Sequence, residues 1–199
     1  MSDCIELKAI LSRHDLTAVF QPILTCPTGE LWGHEALIRG PSTSPLHSPL
    51  RLFDAAARTG LTVELDMLCR SIAIEAFSRS GCPGRLFLNI NPEVVVANDH
   101  PPGETLRLLG RHGIEPERIV IEITEDVRID DYEIVRKAVA HYHASGFAVA
   151  LDDLGAGYAG LRHWSELRPD YVKIDRYFAD GIEHDLSKRE VVRSVIDMA

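Results

Sequence analysis

No apolar run in the sequence approaches the roughly 20 residues that a membrane-spanning helix requires. The N-terminus, MSDCIELKAI, lacks the basic-then-apolar build of a secretory signal. Positive charge is in deficit: 21 lysines and arginines face 30 aspartates and glutamates, a formal net charge of -9. That balance argues against broad attraction to a nucleic acid polymer or to an anionic membrane surface. An anionic ligand would have to be held by metal or by local arginine. The four cysteines, Cys4, Cys26, Cys69 and Cys82, form no C-x-x-C pair, so structural zinc is not expected, and the thiols are expected to be reduced in a cytoplasmic protein. The nine histidines make no H-E-x-x-H or similar spacing, and surface placement is expected for most of them. No serine or cysteine occupies a nucleophile elbow, which leaves metal-activated water as the natural nucleophile. No internal linker, low-complexity tract or short repeat divides the chain.

What is present is enough apolar sequence for a sizeable core: 45% of the 199 residues are hydrophobic and 26% are charged, the make-up of one soluble globular domain. Short apolar runs alternate with longer segments of helical period, the pattern of repeated β–α units around a parallel sheet. Strands are predicted at residues 18–23, 33–39, 85–90, 118–123, 147–153 and 170–175. Only residues 25–31, with Pro27 and Gly29, separate the first two, so that pair is compatible with an antiparallel hairpin. Ser48-Pro49 has the form of an N-cap followed by proline at the first helical position, and Gly60 closes that helix. Further helices are predicted at 63–79, 104–111, 132–145 with Gly146 as the stop, 161–167, and from Lys188 onward. A closed eight-stranded barrel needs two strands more than these six, and an open sheet would leave bare edges. The expectation is therefore a chain cut short at its C-terminus, still in helical period over KREVVRSVIDMA.

Oxygen-bearing side chains recur at the ends of the predicted strands: Glu35, Asn89, Glu122, Asp152 with Asp153, and Asp175, with Lys173 beside the last. In a parallel α/β architecture those ends share one rim, so distant residues converge there. Carboxylates so gathered repel one another unless a cation neutralises them, and an all-oxygen set favours magnesium, manganese or calcium over zinc. Each residue also has a plainer reading. Asn89 equally starts an Asn-x-Asn-Pro turn with Asn91 and Pro92, Asp153 caps the following loop, Lys173 reaches for water, and Glu125 caps the next helix. His34 adjoins Glu35, but strand alternation points it to the opposite face. Gly155 to Gly160 spells G-x-G-x-x-G, the bare dinucleotide-binding pattern. The two aspartates ahead of it would set negative charge against a pyrophosphate, so a metal-edged loop closing over substrate explains the stretch better than a nicotinamide site.

HEALIRG (34–40), containing Glu35-Ala36-Leu37, is joined in order by FQPI, LNINP, IEITED, DDLGAGYAGL and VKIDRYF. With these motifs the chain, from Ala18 to its last residue, resembles the EAL domain family of bacterial cyclic-di-GMP phosphodiesterases. The resemblance implies a TIM-like (β/α)8 barrel with an antiparallel first strand, here lacking the last two β/α units, as a single domain over residues 1–199. It implies two divalent cations, magnesium or manganese, held by Glu35, Asn89, Glu122, Asp152 and Asp153. Lys173 would contact the catalytic water and Glu125 would steady the glycine loop. Arg39 would grip a substrate phosphate, with Gln21, Leu37 and Asp175 beside the nucleotide. Cyclic-di-GMP would be cut to linear pGpG. Leu154, Ala156, Ala159 and Gly160 depart mildly from the family's commonest loop residues. The family's E-G-V-E glutamate and later glutamine are absent from this chain. Homodimerisation and fusion to sensory or GGDEF domains are further implied expectations. A nucleotide receptor without turnover is the rival function, and a nicotinamide oxidoreductase is a third.

Overall fold

The computed structural model describes residues 2–91, 94, 103–124, 132–157 and 160–199. Its first element is a helix the sequence reading did not assign, α1 (Ser2–Arg13). Leu7 and Ile10, one turn apart, are fully or nearly fully buried, an apolar spacing that marks the packed face. Two strands follow, β1 (Thr17–Leu24) and β2 (Leu31–Arg39). They pair antiparallel, with Gln21 opposite Glu35, as the short connection between them anticipated.

The helices α2 (Pro49–Thr59) and α3 (Thr62–Ser80) come next. Ser48 accepts the Arg51 N–H at the start of α2, and Gly60 closes the helix with φ 68°, so both signals read from the sequence act as caps. Along α3 the buried positions Leu65, Cys69, Ala73 and Phe77 recur at helical spacing and face the sheet. The remaining elements are β3 (Arg85–Asn89), α4 (Glu104–His112), β4 (Ile119–Thr124), α5 (Tyr132–Ala144), β5 (Ala148–Leu154), α6 (Gly160–Leu167), β6 (Tyr171–Ile174), the short α7 (Arg176–Ala179) and α8 (Leu186–Met198). The predicted strands and helices stand within one or two residues of these bounds. The exceptions are α1, α7 and a single 3₁₀ turn at Pro116–Arg118 before β4, which were not anticipated.

One six-stranded sheet runs in the order β1-β2-β3-β4-β5-β6. β2 to β6 are parallel throughout. The arrangement is α/β and is that of a (β/α)8 barrel without its last two β/α units, its first strand reversed.

Alternation along the strands sorts side chains between two cores. Leu86, Leu88, Ile119, Ile121 and Ile123 join the large outer core under α1 to α5. Burying each such side chain contributes about 1.5–3 kcal/mol. On the opposite face Phe87, Val120 and Ala150 form a second, smaller core with Trp32 and Tyr171 packed on it. The Trp32 ring lies 5.0 Å from that of Tyr171 and 5.4 Å from that of Phe87. This aromatic plug lies on the inner face, with Phe87 two residues before Asn89 and Tyr171 two residues before Lys173.

His34 points into the outer core, 6.1 Å from the Phe77 ring. His163, by contrast, is buried at 2% exposure instead of lying on the surface. It packs 5.6 Å from the Tyr132 ring, so an aromatic neighbour in the fold overrides its polarity.

The cysteines are all free thiols. Cys26 is exposed, whereas Cys69 is enclosed in α3, where burial first and then the nearby Asp66 carboxylate push its thiol well above the ordinary range. A thiol titration with a chromogenic disulfide at pH 8 is therefore expected to label Cys26 rapidly and Cys69 only after denaturation. Peptide mass mapping reads the result. Rapid native labelling of Cys69 would contradict the packing of α3.

Candidate active site

The parallel register aligns the acids: Glu122 and Asp152 stand two residues before the ends of β4 and β5, whereas Glu35 stands in the middle of β2 and not at its end as expected, because β2 runs on past its neighbour β3. Asn89 of β3 stands opposite Glu122 of β4, and Thr124 of β4 stands opposite Asp152 of β5. Glu35 of β2 pairs with Phe87, two residues before Asn89 and on the same face. One ligand atom from each of Glu35, Glu122 and Asp152 falls within 4.8 Å of the other two. Three strands far apart in sequence thus deliver their carboxylates to one point at the carboxyl-terminal rim.

Lys173 of β6 fills the middle of this group. Its Nζ donates to Glu35 Oε2 and to Asp152 Oδ2, each at 3.0 Å, and lies 2.7 Å from Glu122 Oε1. Asn89 Nδ2 donates to Glu35 Oε1 at 3.2 Å, leaving Oδ1 as the oxygen that side chain can offer. Two like charges about 4 Å apart repel by about 4 kcal/mol at an effective dielectric constant of 20. One ammonium among three carboxylates therefore leaves an excess of negative charge.

Glu122 bears most of that burden. It is fully buried, and with Lys173 Nζ 2.7 Å from Oε1 neither carboxylate oxygen has a well-aligned hydrogen-bond partner among the described residues. Burial, with the neighbouring Glu35 and Asp152 charges, pushes its carboxyl up to about 8 against the opposing pull of Lys173. Burial would by itself lower Lys173, but the charges of Glu122, Asp152 and Glu35 outweigh it and hold the ammonium well above its ordinary range. Carboxylate and amide oxygens that gather in this number, with more negative charge than Lys173 neutralises, suit a hard divalent cation with oxygen ligands.

Asp153 is where simple alternation fails. The β5–β6 register gains one residue between Leu151 and Leu154, a bulge, and Asp153 adopts φ 57° within it. Its own N–H donates to Asp152 Oδ1 at 2.9 Å. Partial desolvation, followed by the Asp152 and Asp175 charges, raises the Asp153 carboxyl. Successive acids that regular alternation would send to opposite faces thus act on the same charge cluster. Just beyond, Gly155 has φ 100° and lies against the Phe178 ring, where an added Cβ would come within 2.5 Å of Cε2. Glycine is required there on both counts.

The other residues singled out from the sequence lie around this cluster. Gln21 is exposed on β1 opposite Glu35, while Leu37 and Arg39 are half-buried further along β2 on the face of Glu35. Arg39 Nη1 donates to the Ile38 carbonyl at 2.8 Å. Gly40 then turns the chain so tightly that a Cβ would meet the Leu46 carbonyl oxygen at 2.3 Å. Asp175 caps α7 by accepting the Tyr177 N–H at 2.8 Å. Glu125 lies outside the described residues. Sequence reasoning passed over the aromatic plug beneath the acids and the buried Asp66–Arg70 pair of α3. The second had a signal: charged residues four apart on an otherwise apolar helical stripe.

Fold and site together define an α/β barrel-type protein with a carboxylate cluster at the carboxyl-terminal rim of its strands. The chain belongs to the EAL domain family, whose model matches residues 6–199. PdeB of Escherichia coli K12, named a probable cyclic di-GMP phosphodiesterase, is 29% identical over 197 residues, covering 98% of this chain and 37% of its own length. A standalone EAL protein of Vibrio cholerae O395, solved with cyclic di-GMP bound, superposes with a TM-score of 0.80 at 28% identity, over 92% of this chain and 76% of that one. Klebsiella pneumoniae BlrP1, solved with manganese and cyclic di-GMP, gives a TM-score of 0.82 at 26% identity, over 92% of this chain and 46% of that one. The chain spans between 24% and 37% of the length of the curated relatives it matches over nearly its whole length. Among the described residues no helix is long and apolar enough to cross a membrane.

Glu122→Gln separates the two demands on the cluster. With its carboxyl pushed up to about 8, Glu122 is mostly neutral at pH 7 without a cation, so the isosteric amide is expected to leave the cation-free melting temperature nearly unchanged. The parent should gain about 5–10 °C with manganese at about 100 times its dissociation constant, and the variant should lose that gain. Thermal melts with and without manganese read both effects. An undiminished manganese response in the variant would exclude Glu122 as a ligand.

Proposed function

We propose that this domain hydrolyses one phosphodiester bond of cyclic di-GMP to give linear pGpG, with magnesium or manganese required. The observation that carries the reading is the meeting of Glu35, Glu122 and Asp152 around one point, with the buried Glu122 oxygens lacking aligned partners. The manganese and cyclic di-GMP bound by the Klebsiella relative support it.

In this reading Glu35, Asn89, Glu122, Asp152 and Asp153 hold a two-cation centre. Divalent ions bound there supply Lewis acidity, lowering the pKa of a coordinated water and offsetting charge on the phosphoryl oxygens. Lys173, already within 3.0 Å of three of the acids, keeps a fixed positive charge and a hydrogen-bond donor beside the attacking water. Arg39 grips a substrate phosphate through its guanidinium, and Gln21, Leu37 and Asp175 flank the nucleotide. Glu125 steadies the glycine loop. The local positive charges of Lys173, Arg39 and the cations reconcile a dianionic substrate with a chain of net charge -9.

The greater length of PdeB supports a further element of the reading. The chain is proposed to act as one EAL domain within a longer cytoplasmic signalling protein that carries sensory or GGDEF domains and is able to form a homodimer.

Purified protein with manganese or magnesium is expected to convert cyclic di-GMP to pGpG, followed by ion-exchange chromatography. Glu35→Gln is expected to lower kcat/KM by about 10³-fold, equivalent to about 4 kcal/mol of transition-state stabilisation. Unchanged turnover in that variant would overturn the site assignment. Nucleotide binding with no hydrolysis in the parent would favour a receptor.

A further inference from the structure

Behind Asn89 lies a pair of charges that the proposed reaction does not use. Asp66 and Arg70, one turn apart on α3, are each 1% exposed. Arg70 Nε donates to Asp66 Oδ2 at 2.6 Å, and Nη2 donates to the same oxygen. Arg70 Nη1 donates to Thr105 Oγ1 of α4 at 3.1 Å. The other carboxylate oxygen, Asp66 Oδ1, accepts the backbone N–H of Asn91 at 2.9 Å. Asn91 stands two residues past Asn89, and between them the Ile90 N–H donates to the Glu122 carbonyl at 3.0 Å.

A buried ion pair is a poor stabilising device, because apolar residues of similar volume commonly serve as well or better. An apolar pair cannot, however, accept a hydrogen bond from the turn leaving β3. That turn gains an anchor from the Asp66 carboxylate, since Asn89 is exposed at the very end of its strand, where the regular ladder of β3 stops. Arg70 and Thr105 hold the carboxylate in place, and the carboxylate holds Asn91.

We infer that Asp66 is a positioning residue for the cation site: its bond to the Asn91 N–H fixes the turn that presents the Asn89 side chain beside Glu35. The inference rests on the cation role proposed for Asn89. Groups that orient metal ligands typically contribute 10–100-fold to metal affinity.

Two double variants isolate the bond, both free of the buried charges. Asp66→Asn/Arg70→Gln keeps an acceptor for the Asn91 N–H, whereas Asp66→Leu/Arg70→Met has none. Manganese binding by calorimetry, without nucleotide, is expected to stay near the parent value in the first and to weaken about 10- to 100-fold in the second. A purely structural role would shift melting temperature and leave affinity alone. If Asp66→Leu/Arg70→Met does not fold, Asp66→Ala/Arg70→Leu takes its place. Equal affinities in parent and both folded doubles would overturn the inference while leaving the proposed function intact. Absence of manganese binding in the parent would instead overturn the cation reading, and the inference with it.

Discussion

Like-charge repulsion at the strand ends is the constraint around which this molecule is organised. Glu35, Glu122 and Asp152 come from three parallel strands, and one ammonium, Lys173, sits among them. Such a concentration of carboxylates persists only where the surrounding structure is stable enough to impose it. The most enclosed of them, Glu122, shows the strain most plainly through its raised carboxyl and unaligned oxygens. The same features that make the cluster costly as protein suit it to hard cations.

The two cores supply the required rigidity in different ways. The outer one clamps β2 to β5 beneath long helices, with residues such as Leu86, Ile119 and Ile121 wholly enclosed. The inner one, built on Phe87, Val120 and Ala150, closes the face directly below the acids with aromatic rings. The charged rim therefore stands on apolar layers on both sides of the sheet. The β5 bulge adds a local adjustment, bending the backbone at Asp153 so that an aspartate outside regular alternation still feels the charges of Asp152 and Lys173.

Much of this was legible in the sequence, for identifiable reasons. The parallel strands β2 to β6 were read from short apolar runs because buried parallel strands leave few polar positions to blur the pattern, and the antiparallel pairing of β1 from its short connection to β2. The bounds of α2 were read from Ser48, Pro49 and Gly60 because capping is a property of single residues. Glu122 and Asp152 were read from their places near the strand ends, whereas Glu35 stands mid-strand in β2. Other features were invisible for equally definite reasons. The helix α1 carries its apolar residues on a mostly charged background, and its place is decided by what it covers. His163 looked like a surface residue until an aromatic neighbour 31 residues away enclosed it. The bulge at Asp153 depends on how two strands pair, which no local stretch records.

By itself, the order of residues determined which groups were available: strand-end carboxylates, a lysine in the sixth strand, capping residues, and glycines where the chain turns sharply. Local chemistry and periodicity suffice for those. Only the tertiary structure decided which of them meet. Register between strands brought Glu35, 138 residues from Lys173 along the chain, to hydrogen-bonding distance. Packing between helices seated Asp66 against the turn that leaves β3. Contacts between distant segments arise from burial and pairing of whole elements, and so they exist only once the sheet has closed its faces.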